Sequence, residues 1–296
     1  MDVGIIGCFQ NGKSTLINCL LGAKIAPTGG DGWSVTSANT IYCYSQQNTV
    51  LSVDGKKNNN FTLNDLTNGT IKNVNEIRIG CSSPILKHVT LIDTPGFNAN
   101  TEDTQTALGA IEKIDFAIVV INNKGLSEVE INIFNELQLR NIPYFLIANC
   151  FMQQAESTWN PNSKFNQNLI KNIVAQLDNY NFTPMLLYGN KVTVLNSLWY
   201  WFAKTNFQFE SEHKQKSLIR FINLYRSEFP QVDFLQESNF NPLLDFFSQS
   251  KNLMPIGIYL ALKQNVLHAI TNISTSLDKQ AQQLQEIIHL NCNNAK

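Results

Sequence analysis

The chain has 296 residues, of which 43% are hydrophobic and 15% are charged, and its formal net charge is −1. This length suits one α/β domain followed by a helical segment, and the near-zero charge excludes nucleic-acid binding by charge alone. The six cysteines are scattered and no apolar run is long enough to span a bilayer, so we expect reduced thiols in a cytoplasmic protein.

The first predicted strand, Val3 to Ile6, leads into Gly7-Cys8-Phe9-Gln10-Asn11-Gly12-Lys13-Ser14. This octapeptide matches the phosphate-loop pattern G-x-x-x-x-G-K-[ST], and a helix is predicted directly after it, from Ser14 to Leu21. Backbone N–H groups that converge at a helix N-terminus bind phosphate. We therefore predict that Lys13 reaches the β- and γ-phosphates of a nucleotide and that Ser14 ligates Mg²⁺.

Loops and short strands follow the first helix. A glycine-rich loop covers 26–36, strands are predicted at 40–44, 49–53, 76–79 and 88–92, and a short helix at 63–66 interrupts the polar segment 56–75. We predict that Thr36 in the glycine-rich loop closes over Mg²⁺ when a γ-phosphate is present, as a nucleotide-sensing switch. Thr28 and Thr40 are the alternatives, although Thr28 lies nearer the first helix and Thr40 falls in the next strand.

The sequence Asp93-Thr94-Pro95-Gly96 follows the strand predicted at 88–92. At this position the Asp93 carboxylate can hold a Mg²⁺-bound water, and the N–H of Gly96 can meet the γ-phosphate. A simple turn is the alternative interpretation. The position directly after a strand favours the nucleotide site.

Strands and helices alternate in the rest of the domain. Strands are predicted at 116–121, 144–148 and 192–195, and helices at 128–139 and 163–177. The strand at 116–121 is apolar on both faces, which is typical of a central strand covered by helices on each side. The sequence therefore predicts an α/β fold whose central, mostly parallel sheet is flanked by helices.

The base-recognition motif is incomplete. After the strand at 144–148 the sequence reads Asn149-Cys150-Phe151-Met152, where a guanine site normally has N-K-x-D. Asn149 is present and is predicted to contact the nucleotide, but the lysine and the aspartate are absent. Without the carboxylate, paired hydrogen bonds to guanine need another acceptor, so the choice between guanine and adenine stays open.

Helical periodicity replaces the strands after residue 205. Helices are predicted at 217–228, 242–248 and 255–290, and we divide the chain into a nucleotide domain, 1–205, and a helical segment forming a partial bundle, 206–296. The last helix carries an apolar stripe, which predicts packing against the chain's own helices, with docking on a partner helix as the alternative. The stripe consists of Ile256, Leu260, Leu267, Ile270, Ile273, Leu277, Leu284 and Ile288.

Three stretches resemble the GTPase domain of the dynamin superfamily, and its bacterial dynamin-like branch in particular. They are the phosphate loop with its helix up to Gly22, the loop at 26–36, and Asp93-Thr94-Pro95-Gly96-Phe97. The resemblance implies a GTPase with a Mg²⁺ cofactor held by Ser14, Thr36 and Asp93. The nucleotide contacts that it implies are Gln10, Asn11, Gly12, Lys13, Ser14, Thr15, Thr36, Asp93, Gly96 and Asn149.

The resemblance also implies catalytic roles for Gln10, Lys13, Thr36 and Gly96. Gln10 takes the position of a dynamin serine that helps to place water. Phe97 takes the position of the water-orienting glutamine of small GTPases and cannot do this work. A monomer is therefore expected to hydrolyse GTP slowly, because water placement and charge stabilisation supply most of the acceleration.

The partners that the resemblance implies are GTP and GDP and a second copy of the chain, in a homodimer across the nucleotide face. A helical partner protein on the C-terminal helix and peripheral membrane contact are further hypotheses, and no basic amphipathic helix supports the latter. The main hypothesis is a Mg²⁺-dependent GTPase with a switch-loop change. The alternative is a nucleotide-bound scaffold with weak or no hydrolysis and a relaxed base preference.

Overall fold

The structure is a computed structural model that describes residues 1–28, 38–57, 61–67, 74–97, 101–122, 125–150 and 160–249. Towards the C-terminus it describes 252–253, 256–258, 262, 266, 270 and 273–282. The chain divides into two compact units, Met1–Ser248 and Gln249–Lys296. The predicted domains, 1–205 and 206–296, stay a prediction.

A nine-stranded sheet, built from the described residues, forms the centre of the first unit. Its strands are β1 (Asp2–Ile6), β2 (Asn39–Tyr44), β3 (Thr49–Val53), β4 (Lys56–Lys57), β5 (Glu76–Cys81), β6 (Thr90–Asp93), β7 (Phe116–Asn122), β8 (Tyr144–Asn149) and β9 (Val192–Leu195). Their order across the sheet is β4-β3-β5-β2-β6-β1-β7-β8-β9. Neighbours pair in parallel except β2 with β6, β3 with β5 and β3 with β4. The predicted α/β fold with a mostly parallel sheet is confirmed.

The described helices of this unit flank the sheet or follow it. They are α1 (Lys13–Leu21), α2 (Leu63–Thr67), α3 (Thr101–Ile111), α4 (Glu128–Leu139), α5 (Lys164–Asn179), α6 (Ser197–Thr205), α7 (Glu212–Glu228), α8 (Phe234–Glu237) and α9 (Asn241–Ser248), with a 3-10 helix at Pro84–Lys87. Local sequence sets several ends. Ser127 and Glu130 form a capping box at the start of α4, and Gly22 ends α1 in the left-handed conformation with φ 67°.

The central strands are buried on both faces by aromatic side chains from the helices. On one face the ring of Phe116 lies 5.0 Å from that of Phe145 and 6.4 Å from that of Phe247 in α9. On the other face Phe134 of α4 stacks on Tyr144 with ring centroids 5.3 Å apart. Burial on both faces explains why β7 and β8 read as continuous apolar runs.

Helix α6 was not predicted from the sequence, because its residues 198–202 form an unbroken apolar and aromatic run without a polar stripe. The helix has no polar stripe because α7 and α8 cover it. The fully buried ring of Trp199 lies 4.8 Å from the ring of Tyr225 in α7 and 5.2 Å from that of Phe234 in α8. A helix enclosed in this way needs no solvent-facing stripe.

In the second unit, the described residues of the apolar stripe differ in exposure. Ile256 is buried, whereas Ile270, Ile273 and Leu277 are 57%, 60% and 59% exposed. Packing against the chain's own helices is therefore not observed at these three positions. The stripe residues Leu260, Leu267, Leu284 and Ile288 lie outside the described residues. None of the described helices combines the length and apolar character needed to cross a lipid bilayer.

An ion-paired glutamate ties the loop after α1 to the start of α7. Glu210, whose side chain is 4% exposed, accepts from Lys24 Nζ at 2.8 Å and pairs with Lys214 Nζ at 3.1 Å. Lys214 also donates to Thr28 Oγ1 at 3.0 Å. Burial opposes ionisation of Glu210, but the hydrogen bond from Lys24 and the two ammonium charges outweigh it, so its pKa is lowered.

We expect Glu210→Gln to reduce the free energy of unfolding by about 2 kcal/mol at neutral pH, because two ammonium groups lose a charged partner. The folded pKa lies below the ordinary glutamate value of 4.5. The ionised group therefore stabilises the fold above that value, and this contribution is lost as the pH falls through the folded pKa.

Urea titrations of the wild type and the variant, at neutral and at acid pH, measure this difference. Glu212→Gln is the matched control, since Glu212 pairs with Lys216 on the surface, and it should change stability by less than about 0.5 kcal/mol. A difference for Glu210→Gln that stayed constant into acid would contradict the ionic explanation.

Candidate nucleotide-binding site

The phosphate loop connects β1 to α1, and its glycines are required by the packing. A Cβ on Gly7 would lie 2.2 Å from the carbonyl oxygen of Val120 in β7, so the loop can pass β7 only without a side chain. Gly12 precedes α1 with φ 82°, in the left-handed conformation that glycine tolerates best. The exposed Gln10 also has a positive φ, of 65°. The backbone thus turns sharply into the N-terminus of α1, as a phosphate-binding nest requires.

The ammonium group of Lys13 lies within the loop. Its Nζ donates to the carbonyl oxygens of Gly7 at 2.9 Å and Cys8 at 3.1 Å, and the residue is 8% exposed. These bonds hold a buried positive charge beside the first turn of α1. The partial positive charge at the helix N-terminus adds to it, so this end of the loop favours an anion.

Ser14 and Asp93 meet as the sequence predicts. The Ser14 hydroxyl donates to Asp93 Oδ2 at 3.1 Å, and Asp93 is fully buried. Within the described part of the chain, Asp93 Oδ1 has no hydrogen-bond partner. Burial raises the pKa of Asp93 to about 6, against the lowering effects of the Lys13 charge and the Ser14 hydrogen bond. A hydroxyl and a carboxylate with an unused oxygen are ligands that suit Mg²⁺, so these residues fit that ion.

A Mg²⁺ ion held by Ser14 and Asp93 needs few further ligands from the protein. Among the described residues no group of three or more His, Cys, Asp or Glu side chains could hold a metal. Mg²⁺ takes one or two protein carboxylates and completes its shell with water and substrate phosphates. The predicted third ligand, Thr36, lies outside the described residues.

We expect Mg²⁺-dependent nucleotide binding to weaken as the pH falls below about 6, because protons and Mg²⁺ compete for the Asp93 carboxylate. The loss should approach about tenfold in Mg²⁺ affinity for each further pH unit. Mg²⁺ titrations of nucleotide binding across this range measure it. Asp93→Asn should bind Mg²⁺ more weakly, and its amide does not titrate in this range. If its binding depended on pH in the same way as that of the wild type, Asp93 would not be the titrating group.

The Asp93-Thr94-Pro95-Gly96 loop is docked on the phosphate loop. Phe9 N–H donates to the Phe97 carbonyl at 3.0 Å, and Phe97 N–H donates to the Gly7 carbonyl at 3.3 Å. A Cβ on Gly96 would lie 2.8 Å from Phe9 Cα, so glycine is required at this approach. The two predicted phosphate-contacting segments are therefore adjacent, and the buried Phe97 points its ring into the core.

The thiol of Cys8 in the phosphate loop forms a hydrogen bond with helix α4. Cys8 Sγ donates to Glu130 Oε1 at 3.1 Å, while Glu130 Oε2 accepts from the N–H of Ser127 at 2.9 Å. Burial, together with the charge and hydrogen bond of Glu130, raises the pKa of Cys8 to about 12 and outweighs the lowering by Lys13. Cys8 is therefore a neutral thiol.

Asn149 joins the end of β8 to the phosphate loop. Its Nδ2 donates to the Asn11 carbonyl at 3.1 Å, and its Oδ1 accepts from both the N–H and the hydroxyl of Ser197, each at 3.1 Å. Sequence reasoning missed Ser197. The available signal was its position two residues after the last parallel strand, at the edge of the sheet where such folds bind ligands.

The residue after Asn149 does not replace the lysine of N-K-x-D. Cys150 is 4% exposed and accepts a hydrogen bond from Asn166 Nδ2 at 3.5 Å. Burial raises the pKa of its thiol, so the group is neutral and interior. Phe151 and Met152 lie outside the described residues.

Thr28 and Thr40, the alternatives to Thr36 as the switch threonine, both lie in the described part of the chain. Thr28 accepts from Lys214, and Thr40 lies in β2 opposite Asp93 in the antiparallel register, as the strand prediction required. Thr15 is partly exposed in the first turn of α1, next to Ser14.

Comparison with known proteins accounts for this arrangement. A profile of the dynamin family matches residues 3–147, which include the phosphate loop, Asp93 and Gly96. Residues 3–147 of this chain are similar to the dynamin family. The sequence resemblance to dynamin-like GTPases is confirmed.

Two known proteins are similar to this chain in sequence. Dynamin-like protein 2 of Campylobacter jejuni subsp. jejuni serotype O:23/36 (strain 81-176) is 34% identical over 149 residues, which are 47% of this chain and 24% of that protein. An uncharacterized protein in the xynA 3' region of Caldicellulosiruptor sp. (strain Rt8B.4) is 28% identical over 193 residues, 61% of this chain and 47% of that protein. The chain thus spans less than half the length of either relative.

A solved structure shares the dynamin fold. It is an oligomerised bacterial dynamin pair, described as providing a mechanism for the long-range sensing and tethering of membranes. Its TM-score is 0.50 at 15% identity, over 97% of this chain and 46% of that one. This similarity extends the assignment of the fold beyond the residues that the family profile matches.

Proposed function

We propose that this chain is a Mg²⁺-dependent GTPase that hydrolyses GTP to GDP and phosphate. The observation that carries the proposal is the convergence of the buried Lys13 ammonium and the Ser14–Asp93 pair on the N-terminus of α1. The match of residues 3–147 to the dynamin family supports the same chemistry.

In this proposal the backbone N–H groups from Gln10 to Thr15 hold the phosphates. Lys13 exchanges its carbonyl partners for the β- and γ-phosphate oxygens, and Ser14, Asp93 and Thr36 hold Mg²⁺. When bound, Mg²⁺ neutralises charge on the phosphates. The N–H of Gly96 meets the γ-phosphate because its loop is already docked on the phosphate loop.

Hydrolysis proceeds by attack of a water oxygen on the γ-phosphorus as the bond to the bridging oxygen breaks. GDP leaves with the electron pair of that bond, and the proton of the water passes to phosphate. Gln10 is the side chain that we assign to water placement, since it is exposed at the tip of the loop. Phe97 is buried in the core and cannot orient the attacking water, so we assign that role to Gln10 and to a second subunit.

We also propose that two copies associate across the nucleotide face and accelerate hydrolysis. The oligomeric state named for the solved bacterial dynamin pair supports this. Light scattering during size-exclusion chromatography should show a dimer with GDP and aluminium fluoride, which together mimic the transferring phosphoryl group. A monomer under every nucleotide condition would remove dimerisation from the proposal.

The competing function is a nucleotide-bound scaffold, favoured by the neutral, buried Cys150 at the lysine position of the base motif. Phosphate release from GTP and ATP, measured side by side with and without Mg²⁺, separates the two. Mg²⁺-dependent release from GTP in preference to ATP supports the GTPase. Binding without release, or equal use of both nucleotides, would establish the scaffold instead.

A further inference from the structure

The incomplete base motif poses a chemical problem that rests on the proposed function. Guanine presents two neighbouring donors, N1–H and the 2-amino group, and one carboxylate can accept both. A site that makes such bonds discriminates strongly against bases that lack the donors. No carboxylate occurs in Asn149-Cys150-Phe151-Met152, so paired hydrogen bonds to guanine need an acceptor from elsewhere.

Helix α8 and the residues after it are fixed to the carboxyl end of β9. The N–H of Asn196 donates to the Ser238 carbonyl at 2.8 Å, and Asn239 Nδ2 donates to the Val194 carbonyl at 2.7 Å. Leu195 pairs in register with Asn149 of β8. The segment 237–239 therefore lies at the sheet edge that holds Asn149, where α/β folds bind ligands.

A chain of hydrogen bonds connects the base motif to α8. Asn166 Nδ2 donates to Cys150 Sγ at 3.5 Å and to the Asn160 carbonyl at 2.7 Å. Asn160 Nδ2 in turn donates to Glu237 Oε2 at 2.8 Å. The Glu237 carboxylate thus contacts Asn160, the first described residue after the base motif.

The Glu237 carboxylate retains accepting capacity. Asn160 engages and orients Oε2, while Oε1 has no hydrogen-bond partner among the described residues, and the side chain is partly exposed. The buried Glu130, also near the phosphate loop, differs because both of its oxygens accept hydrogen bonds, from Cys8 and from Ser127.

We infer that Glu237 supplies the carboxylate that recognises the guanine base, in place of the aspartate that the base motif lacks. The residue comes from the helices that follow the last strand, and not from the residues that come directly after β8 in the sequence. Base recognition and the attachment of α8 to β9 are therefore coupled in this chain.

Glu237→Gln tests the inference with a small change in shape. The glutamine oxygen still accepts from Asn160, so the fold is retained, but its amide presents a donor to the donors of guanine. We expect affinity for GTP to fall by about 10- to 100-fold. Affinity for XTP should rise relative to GTP, because xanthine carries a carbonyl where guanine has the 2-amino group. Calorimetric titration with GTP, ITP and XTP in Mg²⁺ measures these ratios.

Two further variants complete the experiment. Glu237→Asp keeps the carboxylate and should keep the preference for GTP over XTP, and Glu212→Gln removes an exposed carboxylate of α7 and should match the wild type. Failure of the wild type to bind GTP would overturn the proposed GTPase together with this inference. GTP binding by the wild type with an unchanged GTP-to-XTP ratio in Glu237→Gln would overturn the inference alone.

Discussion

Lys13→Ala should reduce GTP turnover by about 100-fold or more, since it removes the charge that the phosphate loop holds for the β- and γ-phosphates. In the structure this ammonium is buried and donates to the carbonyl oxygens of Gly7 and Cys8. Affinity for GTP should fall together with turnover. Phosphate release and equilibrium binding of GTP measure both effects.

Lys171→Ala is the matched control for this prediction, because Lys171 is exposed on α5 and its replacement by alanine suits a helix. It should leave turnover and affinity at wild-type values. Turnover by Lys13→Ala within about threefold of the wild type would contradict the proposed role of Lys13, since one absent charge contact costs far more in phosphoryl transfer.

Gly7→Ala should give the largest loss of stability among these substitutions, about 3 kcal/mol or more in the free energy of unfolding. The added Cβ would lie 2.2 Å from the Val120 carbonyl oxygen, and backbone on both sides is fixed because β1 pairs with β7. Relief of this clash requires the two strands to separate, which also displaces the phosphate loop. Nucleotide binding should therefore be lost along with stability.

Urea denaturation of Gly7→Ala can be compared directly with that of Gly109→Ala. Gly109 lies in α3 with nothing within 4 Å of an added Cβ, so alanine there should stabilise the helix by about 0.5 to 1 kcal/mol. Equal stability of the two variants would show that the contact between Gly7 and Val120 is not a constraint on the fold.

The parts of the site that the sequence predicted are those encoded by short local patterns. The phosphate loop follows β1 and Asp93 ends β6, and parallel strands end at one edge of the sheet, so their proximity follows from the pattern. Helix α4 was predicted with its observed bounds, Glu128–Leu139, and the structure adds a capping box at its start.

The parts that the sequence did not predict depend on contacts between distant segments. Ser197 contacts Asn149, and Glu237 contacts Asn160, across sequence separations of 48 and 77 residues. Neither residue belongs to a recognisable motif. Helix α6 was missed for a related reason. Because α7 and α8 cover it, its sequence lacks the alternation of apolar and polar residues on which helix prediction depends. The switch assignment to Thr36 stays a prediction, since that residue lies outside the described part of the chain.

The environment of Cys8 has a consequence for handling and for redox chemistry. The thiolate is the form that reacts with alkylating agents and peroxide, and a pKa of about 12 keeps this thiol protonated at neutral pH. Burial, together with the charge and hydrogen bond of Glu130, thereby protects the phosphate loop from covalent modification at Cys8. Iodoacetamide should therefore modify Cys8 slowly in the folded protein, and inactivation by mild oxidants should begin elsewhere in the chain.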